Sequence, residues 1–257
     1  MKNIYTLKKD ILAVGRRVYE RGYVASNDGN ISAKIDENRI LITPTGVSKG
    51  FMEADDLVII DYNGKVLNGA KKPSSEYSMH VKMYQERADV NGVCHAHPPY
   101  ATGFAVAGIP LDQCVLPEVI VALGGIPIAE YGLPGTDKLF EPVLKYVQTH
   151  DAFLLENHGA LTIGKDVLNA YHKMETMEHF AHILFVSRML GNVNTLSREH
   201  VGDLVGLREK FGITTGGSCA IDSDPKDDGP SSPLNNQIDE DALVEQITNS
   251  VLKHLKT

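Results

Sequence analysis

Residues 92–100 read GVCHAHPPY, and this stretch places two histidines, His95 and His97, one residue apart. Successive side chains of a β-strand point to opposite faces, so residues i and i+2 project side by side. The small and apolar residues around the two histidines favour a buried strand, and the proline pair that follows ends it. Two adjacent imidazoles form half of a metal site. With 10 histidines in 257 residues, about 0.4 H-x-H matches arise by chance, so the pair needs partners.

Two residues elsewhere in the chain could complete such a site. Glu76 lies at the start of a predicted helix before the H-x-H strand, and His158 lies in the segment LENHGAL. Three imidazoles and one carboxylate form a nitrogen-rich ligand set that suits Zn²⁺ better than Fe²⁺, Co²⁺ or Mn²⁺. The alternative interpretation is that His158 caps a strand and that Glu76 only favours a helix N-terminus.

Three segments of small polar residues, at 26–32 (SNDGNIS), 43–48 (TPTGVS) and 72–76 (KPSSE), offer N–H and O–H donors. Each could be an ordinary turn. The last segment precedes a predicted helix, whose N-terminus favours an anion. Together the segments predict a phosphate site beside Glu76 that requires no lysine. Its candidate residues are Gly29, Asn30, Thr45, Gly46, Ser74 and Ser75.

The predicted elements alternate between helix and strand, which indicates an α/β layered domain that ends near residue 215. We expect Ser74 or Ser75 to cap the helix at 75–88, with Glu76 in its first turn. Helices are predicted at 6–22, 75–88, 99–107, 137–149, 166–190 and 197–211. Strands are predicted at 39–43, 57–61, 92–97 and 126–129, followed by the β segments AFLLENHG and ALTIG.

Composition and charge indicate an ordinary globular protein, with 42% hydrophobic and 23% charged residues. The net charge of −8 disfavours a nucleic-acid partner. Three cysteines without metal-type spacing fit a reducing compartment better than a disulfide framework. The first residues lack a signal peptide and no segment reaches the length of a membrane span, so we expect a cytoplasmic protein with no membrane partner.

The motifs DGNIS, TPTG, PSSE, H-x-H-P and NHG, in this order over about residues 5–212, resemble the class II aldolase/adducin family. The resemblance implies a three-layer α/β/α fold with a central, mainly antiparallel sheet. It also implies a homotetramer with active sites at subunit interfaces. Glu76, His95, His97 and His158 match the ligands of one Zn²⁺ per subunit, and Glu76 also matches the catalytic acid/base. The six candidate phosphate residues match the family's phosphate-binding positions.

The activity that the resemblance implies is zinc-dependent aldol cleavage of a sugar phosphate. The substrate would be L-fuculose 1-phosphate or a close ketose 1-phosphate, and the products dihydroxyacetone phosphate and L-lactaldehyde, as in fucose or rhamnose metabolism. Where similar aldolases carry a tyrosine that protonates the aldehyde oxygen, this chain reads LPEVIVALGG, with Glu118 as the nearest match. A second family tyrosine is replaced by Phe211. A dehydratase or decarboxylase of the same fold, or a non-catalytic adducin-like module, are the alternatives.

The composition changes after the aldolase-like part. We divide the chain into a class II aldolase domain at 1–219, a flexible linker at 220–237 and an amphipathic helix at 238–257. The apolar stripe of this helix is formed by Leu243, Val244, Ile247, Val251 and Leu255. A short helix on such a linker resembles the encapsulation peptides of bacterial microcompartments. It predicts that residues 239–256 bind a shell protein and that the enzyme lies in the compartment lumen.

Overall fold

In a computed structural model of the protein, the structure describes residues 3–220. Six α-helices lie in this part of the chain. They are α1 (Ile4–Glu20), α2 (Tyr77–Glu86), α3 (Pro99–Val106), α4 (Pro117–Ala122), α5 (Val167–Met189) and α6 (Arg198–Lys210). Asn3 caps the first turn of α1. The apolar residues whose spacing predicted this helix are the ones that are buried in the core. Four more of the predicted helices correspond to α2, α3, α5 and α6.

Eight strands form a single sheet in the order β4-β3-β2-β1-β5-β8-β7-β6. Their bounds are β1 (Asn30–Asp36), β2 (Arg39–Ile42), β3 (Val58–Asp61), β4 (Val66–Asn68), β5 (Gly92–Ala96), β6 (Ile128–Ala129), β7 (Ala152–Leu155) and β8 (Gly159–Gly164). Every pair is antiparallel except β6 and β7. The predicted fold class, α/β with a mainly antiparallel sheet, is confirmed.

Apolar side chains cover both faces of the sheet. One core joins α1, α3 and α5 to residues such as Ile31 and Cys94, and the other joins α2 to their strand neighbours such as Val93. Neighbouring residues on a strand thus enter different cores, which is the period-2 alternation of a sheet buried on both sides. The strand β5 lies near the middle of this three-layer arrangement. The sheet therefore holds the backbone of His95 in a rigid position.

Some predicted elements differ from the structure. The predicted helix at 137–149 is wrong, because the segment instead forms two short 3₁₀ helices, Asp137–Leu139 and Glu141–Lys145. Pro142 lies inside this segment and lacks the N–H that a continuous α-helix needs there. The strands β1 and β4 and the helix α4 were not predicted. The start of β1 falls within the polar segment at 26–32, which we interpreted as a loop.

The expectation about cysteines was wrong for two of the three. Cys114, which precedes α4, forms a disulfide with Cys219, while Cys94 is free and buried in β5. The two bonded cysteines are 105 positions apart, and no local spacing rule predicts such a pair.

Among residues 3–220, no helix combines the length and the apolar character that crossing a bilayer requires. The predicted linker beyond Ala220 and the predicted helix at 238–257 lie outside the described residues. The proposed domain division and the shell-binding role of the tail therefore stay predictions.

Candidate metal centre

The strand β5 presents His95 to one end of the sheet. His95 lies opposite Asn30 of β1 and Leu161 of β8, and only 1% of its surface is exposed. Its Nδ1–H donates to the carbonyl oxygen of Ala160 at 2.9 Å. This hydrogen bond fixes the tautomer, and it leaves the lone pair of Nε2 free for a ligand.

Two more imidazoles meet His95 at this end of the sheet. His97 follows β5, and its Nε2 lies 3.2 Å from His95 Nε2. His158 comes from the turn between β7 and β8, and its ring centroid lies 4.8 Å from that of His95 and 5.0 Å from that of His97. One ligand nitrogen from each of the three rings lies within 4.8 Å of the others. The structure therefore brings together the three histidines that the sequence singled out.

The residue after His158 has no space for a side chain. A Cβ at Gly159 would lie 2.5 Å from Cδ2 of His97 and 2.7 Å from the carbonyl oxygen of Ala96. The NHG motif thus combines a ligand with the close backbone approach that lets His97 join the cluster.

Burial favours the neutral form of two of these imidazoles, those of His95 and His158. Burial, with smaller contributions from the neighbouring His158 and His97, holds the pKa of His95 well below its ordinary value. Burial also lowers the pKa of His158, against the opposing effect of the Glu76 carboxylate. A metal requires an unprotonated ring nitrogen, so burial favours the metal-binding state of His95 and His158.

Glu76 reaches the cluster from the N-terminus of α2. Its Oε1 lies 3.4 Å from Nε2 of His158, and its Oε2 lies 3.4 Å from Nε2 of His95. The N-cap residue is Glu76, not Ser74 or Ser75 as predicted, and its side chain makes no capping hydrogen bond, although Ser74 Oγ accepts from the backbone N–H of Glu76 at 3.3 Å. Its carboxylate is therefore free to face the imidazoles. Three imidazole nitrogens and this carboxylate fit the ligand set that Zn²⁺ prefers.

A cavity of about 240 Å³ opens beside Glu76, His97 and His158. Five of the six predicted phosphate residues line it, namely Gly29, Asn30, Thr45, Ser74 and Ser75. Gly46 is not among the lining residues, although it lies next to Thr45. Hydrogen bonds from Thr45 N to the Lys72 carbonyl and from Ser74 N to the Thr43 carbonyl, both 3.1 Å long, hold two of the polar segments side by side.

Lys49 is a residue of this region that the sequence analysis missed. Its side chain is buried, and Nζ donates to the carbonyl oxygens of Asn27 at 2.9 Å and Val47 at 2.8 Å. Burial lowers its pKa to about 8. Lys49 thus connects the polar segments at 26–32 and 43–48 through their backbone carbonyl groups. No lysine lines the cavity, but this one holds two of its segments in place. No motif in the sequence signals this role.

The residues that replace the family tyrosines lie apart from the cluster within one chain. Glu118 is exposed in the first turn of α4, and it does not line the cavity. Phe211 follows α6, and 69% of its surface is exposed. Within one chain Glu118 is not part of the cavity lining, and its role in the chemistry stays a prediction.

Comparisons with known proteins identify the family to which the chain belongs. The sequence matches the class II aldolase and adducin N-terminal domain over residues 9–185. An L-fuculose phosphate aldolase of Methanococcus maripaludis is 37% identical over 181 residues, which are 70% of this chain and 97% of the relative. A 3-oxo-tetronate 4-phosphate decarboxylase of Haemophilus influenzae is 33% identical over 182 residues, 69% of this chain and 86% of that relative. The solved structure of an L-fuculose 1-phosphate aldolase superposes with a TM-score of 0.73 at 31% identity, and the match covers 80% of this chain and 96% of that one.

Proposed function

Because the chain belongs to the class II aldolase and adducin N-terminal domain family, we propose that it is a zinc-dependent aldolase. Its substrate would be L-fuculose 1-phosphate or a close ketose 1-phosphate, cleaved to dihydroxyacetone phosphate and L-lactaldehyde. The observation that carries this proposal is the position of Glu76. Its carboxylate lies 3.4 Å from two of the clustered imidazoles, and it also lines the cavity that offers donors for a phosphate.

In this proposal different groups bind the metal, bind the phosphate and transfer protons. Glu76, His95, His97 and His158 would hold Zn²⁺, which would supply a Lewis acid for the ketose carbonyl. Hydroxyl and backbone N–H groups around the cavity hold the phosphate, as in anion sites without a lysine contact. Cleavage removes a proton from the C4 hydroxyl, breaks the C3–C4 bond and leaves an electron pair on C3. Glu118 of a neighbouring subunit would take the C4 hydroxyl proton and pass it to water, and the carboxyl group of Glu76, protonated from water, would donate a proton to C3.

A homotetramer is part of this proposal, because the acid at position 118 must come from a second copy of the chain. Large apolar side chains are exposed at the end of α5 and after α6, and such patches often mark interfaces. They are Phe185, Val186, Met189, Leu190 and Phe211.

Decarboxylation is the second candidate, since a decarboxylase is 33% identical to this chain. Loss of CO₂ from a 3-oxo acid also leaves an electron pair on the carbon next to a carbonyl. The same Lewis acid and the same carboxylate could therefore serve both reactions. The co-products distinguish them, because the decarboxylase releases CO₂ together with dihydroxyacetone phosphate, whereas the aldolase releases an aldehyde with it.

The test is a substrate panel on chelator-treated protein with and without added Zn²⁺. We expect dihydroxyacetone phosphate from fuculose 1-phosphate in the presence of Zn²⁺, and loss of its release in the metal-free protein. Rhamnulose, ribulose and 5-deoxyribulose 1-phosphates identify the preferred aldehyde, and 3-oxo-tetronate 4-phosphate tests the decarboxylase. Unchanged cleavage by the metal-free protein contradicts the proposal. So does release of CO₂ from 3-oxo-tetronate 4-phosphate if none of the four ketose 1-phosphates yields dihydroxyacetone phosphate.

For the tail we propose that residues 239–256 bind a microcompartment shell protein. The proposal is supported by the apolar stripe of the predicted helix and by the reactivity of an aldehyde product, which a shell would confine. Truncation after Asn235 should leave kcat unchanged and abolish co-purification with shells. Gln246→Ala, on the polar side of the stripe, is the matched control and should co-purify normally. Entry of the truncated enzyme into shells, or loss of its oligomer, excludes the targeting role.

A further inference from the structure

A buried chain of hydrogen bonds leads away from Glu76. Nδ2 of Asn30 lies 2.8 Å from Oε2 of Glu76, and Oδ1 of Asn30 lies 2.5 Å from Nε2 of His80. Nδ1 of His80 lies 2.7 Å from Oγ of Ser32, which in turn lies 2.7 Å from the Tyr84 hydroxyl. No member of the chain is more than 9% exposed. Hydrogen bonds in such a low-dielectric setting are strong and orient their members.

The periodicities of one helix and one strand create this contact. Glu76, the N-cap residue of α2, and His80 and Tyr84 within the helix are spaced four residues apart, so they lie on one face of the helix. Asn30 and Ser32 lie on one face of β1, the face that α2 covers. The side chains of helix and strand therefore alternate along the contact, and each is held between two neighbours.

Chemistry assigns a direction to every hydrogen bond in the chain. An ionised carboxylate only accepts, so the amide nitrogen of Asn30 must face Glu76, and its oxygen must face His80. That oxygen needs a donor, which makes Nε2 the protonated nitrogen of His80. Nδ1 then accepts from Ser32, whose oxygen accepts from Tyr84. Burial lowers the pKa of His80 to about 3, in agreement with this neutral tautomer.

We propose that His80 is a positioning residue for the metal centre. By donating to Oδ1 of Asn30, it fixes the amide in the one orientation that offers an N–H group to Glu76, and so holds that carboxylate beside the imidazoles. The inference deepens the proposed function, since it rests on Glu76 as a ligand and acid/base. Asn30 also lines the cavity, so the same contact joins the cavity wall to the metal centre.

The test measures Zn²⁺ affinity of the full-length protein, stripped of metal and titrated against a competing chelator. His80→Leu removes both ring nitrogens, and it should weaken Zn²⁺ binding by roughly 10- to 100-fold, as loss of an outer partner does. His80→Gln keeps a donor at the position of Nε2 and should bind Zn²⁺ within about threefold of wild type. In a Glu76→Ala background, His80→Leu should have almost no further effect, because the carboxylate it positions is gone.

The outcomes distinguish a positioning role of His80 from a role in the stability of the fold. An equal loss of affinity in both backgrounds means that His80 only stabilises the fold, and unchanged affinity in the single variant overturns the proposal directly. If His80→Leu does not fold, His80→Gln is compared with His80→Asn, whose amide is too short to reach Asn30. Equal Zn²⁺ affinity of these two variants then also overturns it. Wild-type protein that binds Zn²⁺ but cleaves no sugar phosphate contradicts the proposed function alone.

Discussion

Replacing Glu76 by glutamine should reduce turnover by about 10³-fold at saturating Zn²⁺, within the range that general acid/base groups contribute. The amide has nearly the same shape, but it can neither accept a proton nor carry the negative charge that faces two imidazoles at 3.4 Å. The measurement is kcat for release of dihydroxyacetone phosphate at several Zn²⁺ concentrations. Raising the metal concentration separates a loss of chemistry from a loss of metal.

Glu156→Gln is the matched control for this variant. Glu156 lies two residues before His158, and its carboxylate accepts from Tyr131 N at 2.8 Å. It does not line the cavity, so its removal should leave turnover within about twofold, as for most surface substitutions. Turnover of Glu76→Gln within tenfold of wild type at saturating Zn²⁺ would falsify the acid/base role.

Replacing His95 by asparagine should abolish tight Zn²⁺ binding. An asparagine amide can still donate to the Ala160 carbonyl, as Nδ1 of His95 does at 2.9 Å, but it offers no nitrogen at the position of Nε2. The loss of affinity should exceed the roughly 10- to 100-fold that removal of an outer partner costs, and activity should fall with it. The measurements are bound zinc per chain and competition with a chelator.

His172→Ala is the control, because His172 is exposed on α5 away from the cluster. It should retain one Zn²⁺ per chain. Far-UV circular dichroism of both variants checks that the sheet has formed, since His95 is buried in its middle. Tight binding of one Zn²⁺ by folded His95→Asn would place the metal elsewhere.

The cluster of His95, His97 and His158 was predictable because its residues are a rare type at informative positions. The i, i+2 spacing of His95 and His97 on a strand is visible in the sequence, and His158 ends an apolar segment. The hydrogen bonds that hold the surrounding segments in place were not predictable. Lys49 and His80 act through contacts with carbonyl and amide groups that lie 22 and 50 positions away, and neither belongs to a motif that names its partner.

The fold was predictable where the pattern was strong and local. The long α5 was predicted to within one residue at each end and the amphipathic α1 to within two, while the proline-containing segment at 137–149 did not form an α-helix. The start of β1 looked like a loop because Asn30 and Ser32 are polar. They are buried only because α2 supplies partners for them. The disulfide between Cys114 and Cys219 depends on tertiary structure in the same way.

The contacts around His95 also determine when, during folding, a metal site can exist. The hydrogen bond from His95 to Ala160 joins residues 65 positions apart, and the one from Asn30 to Glu76 spans 46. Contacts between residues this distant in sequence form slowly, because long loops must close before any contact is made. A chain released from the ribosome only as far as Pro98 would carry three of the four ligands without the strand β8 that completes their setting. Zn²⁺ would therefore bind late in folding, after β5 and β8 have paired. It would stabilise the native sheet more than the folding intermediates that precede it.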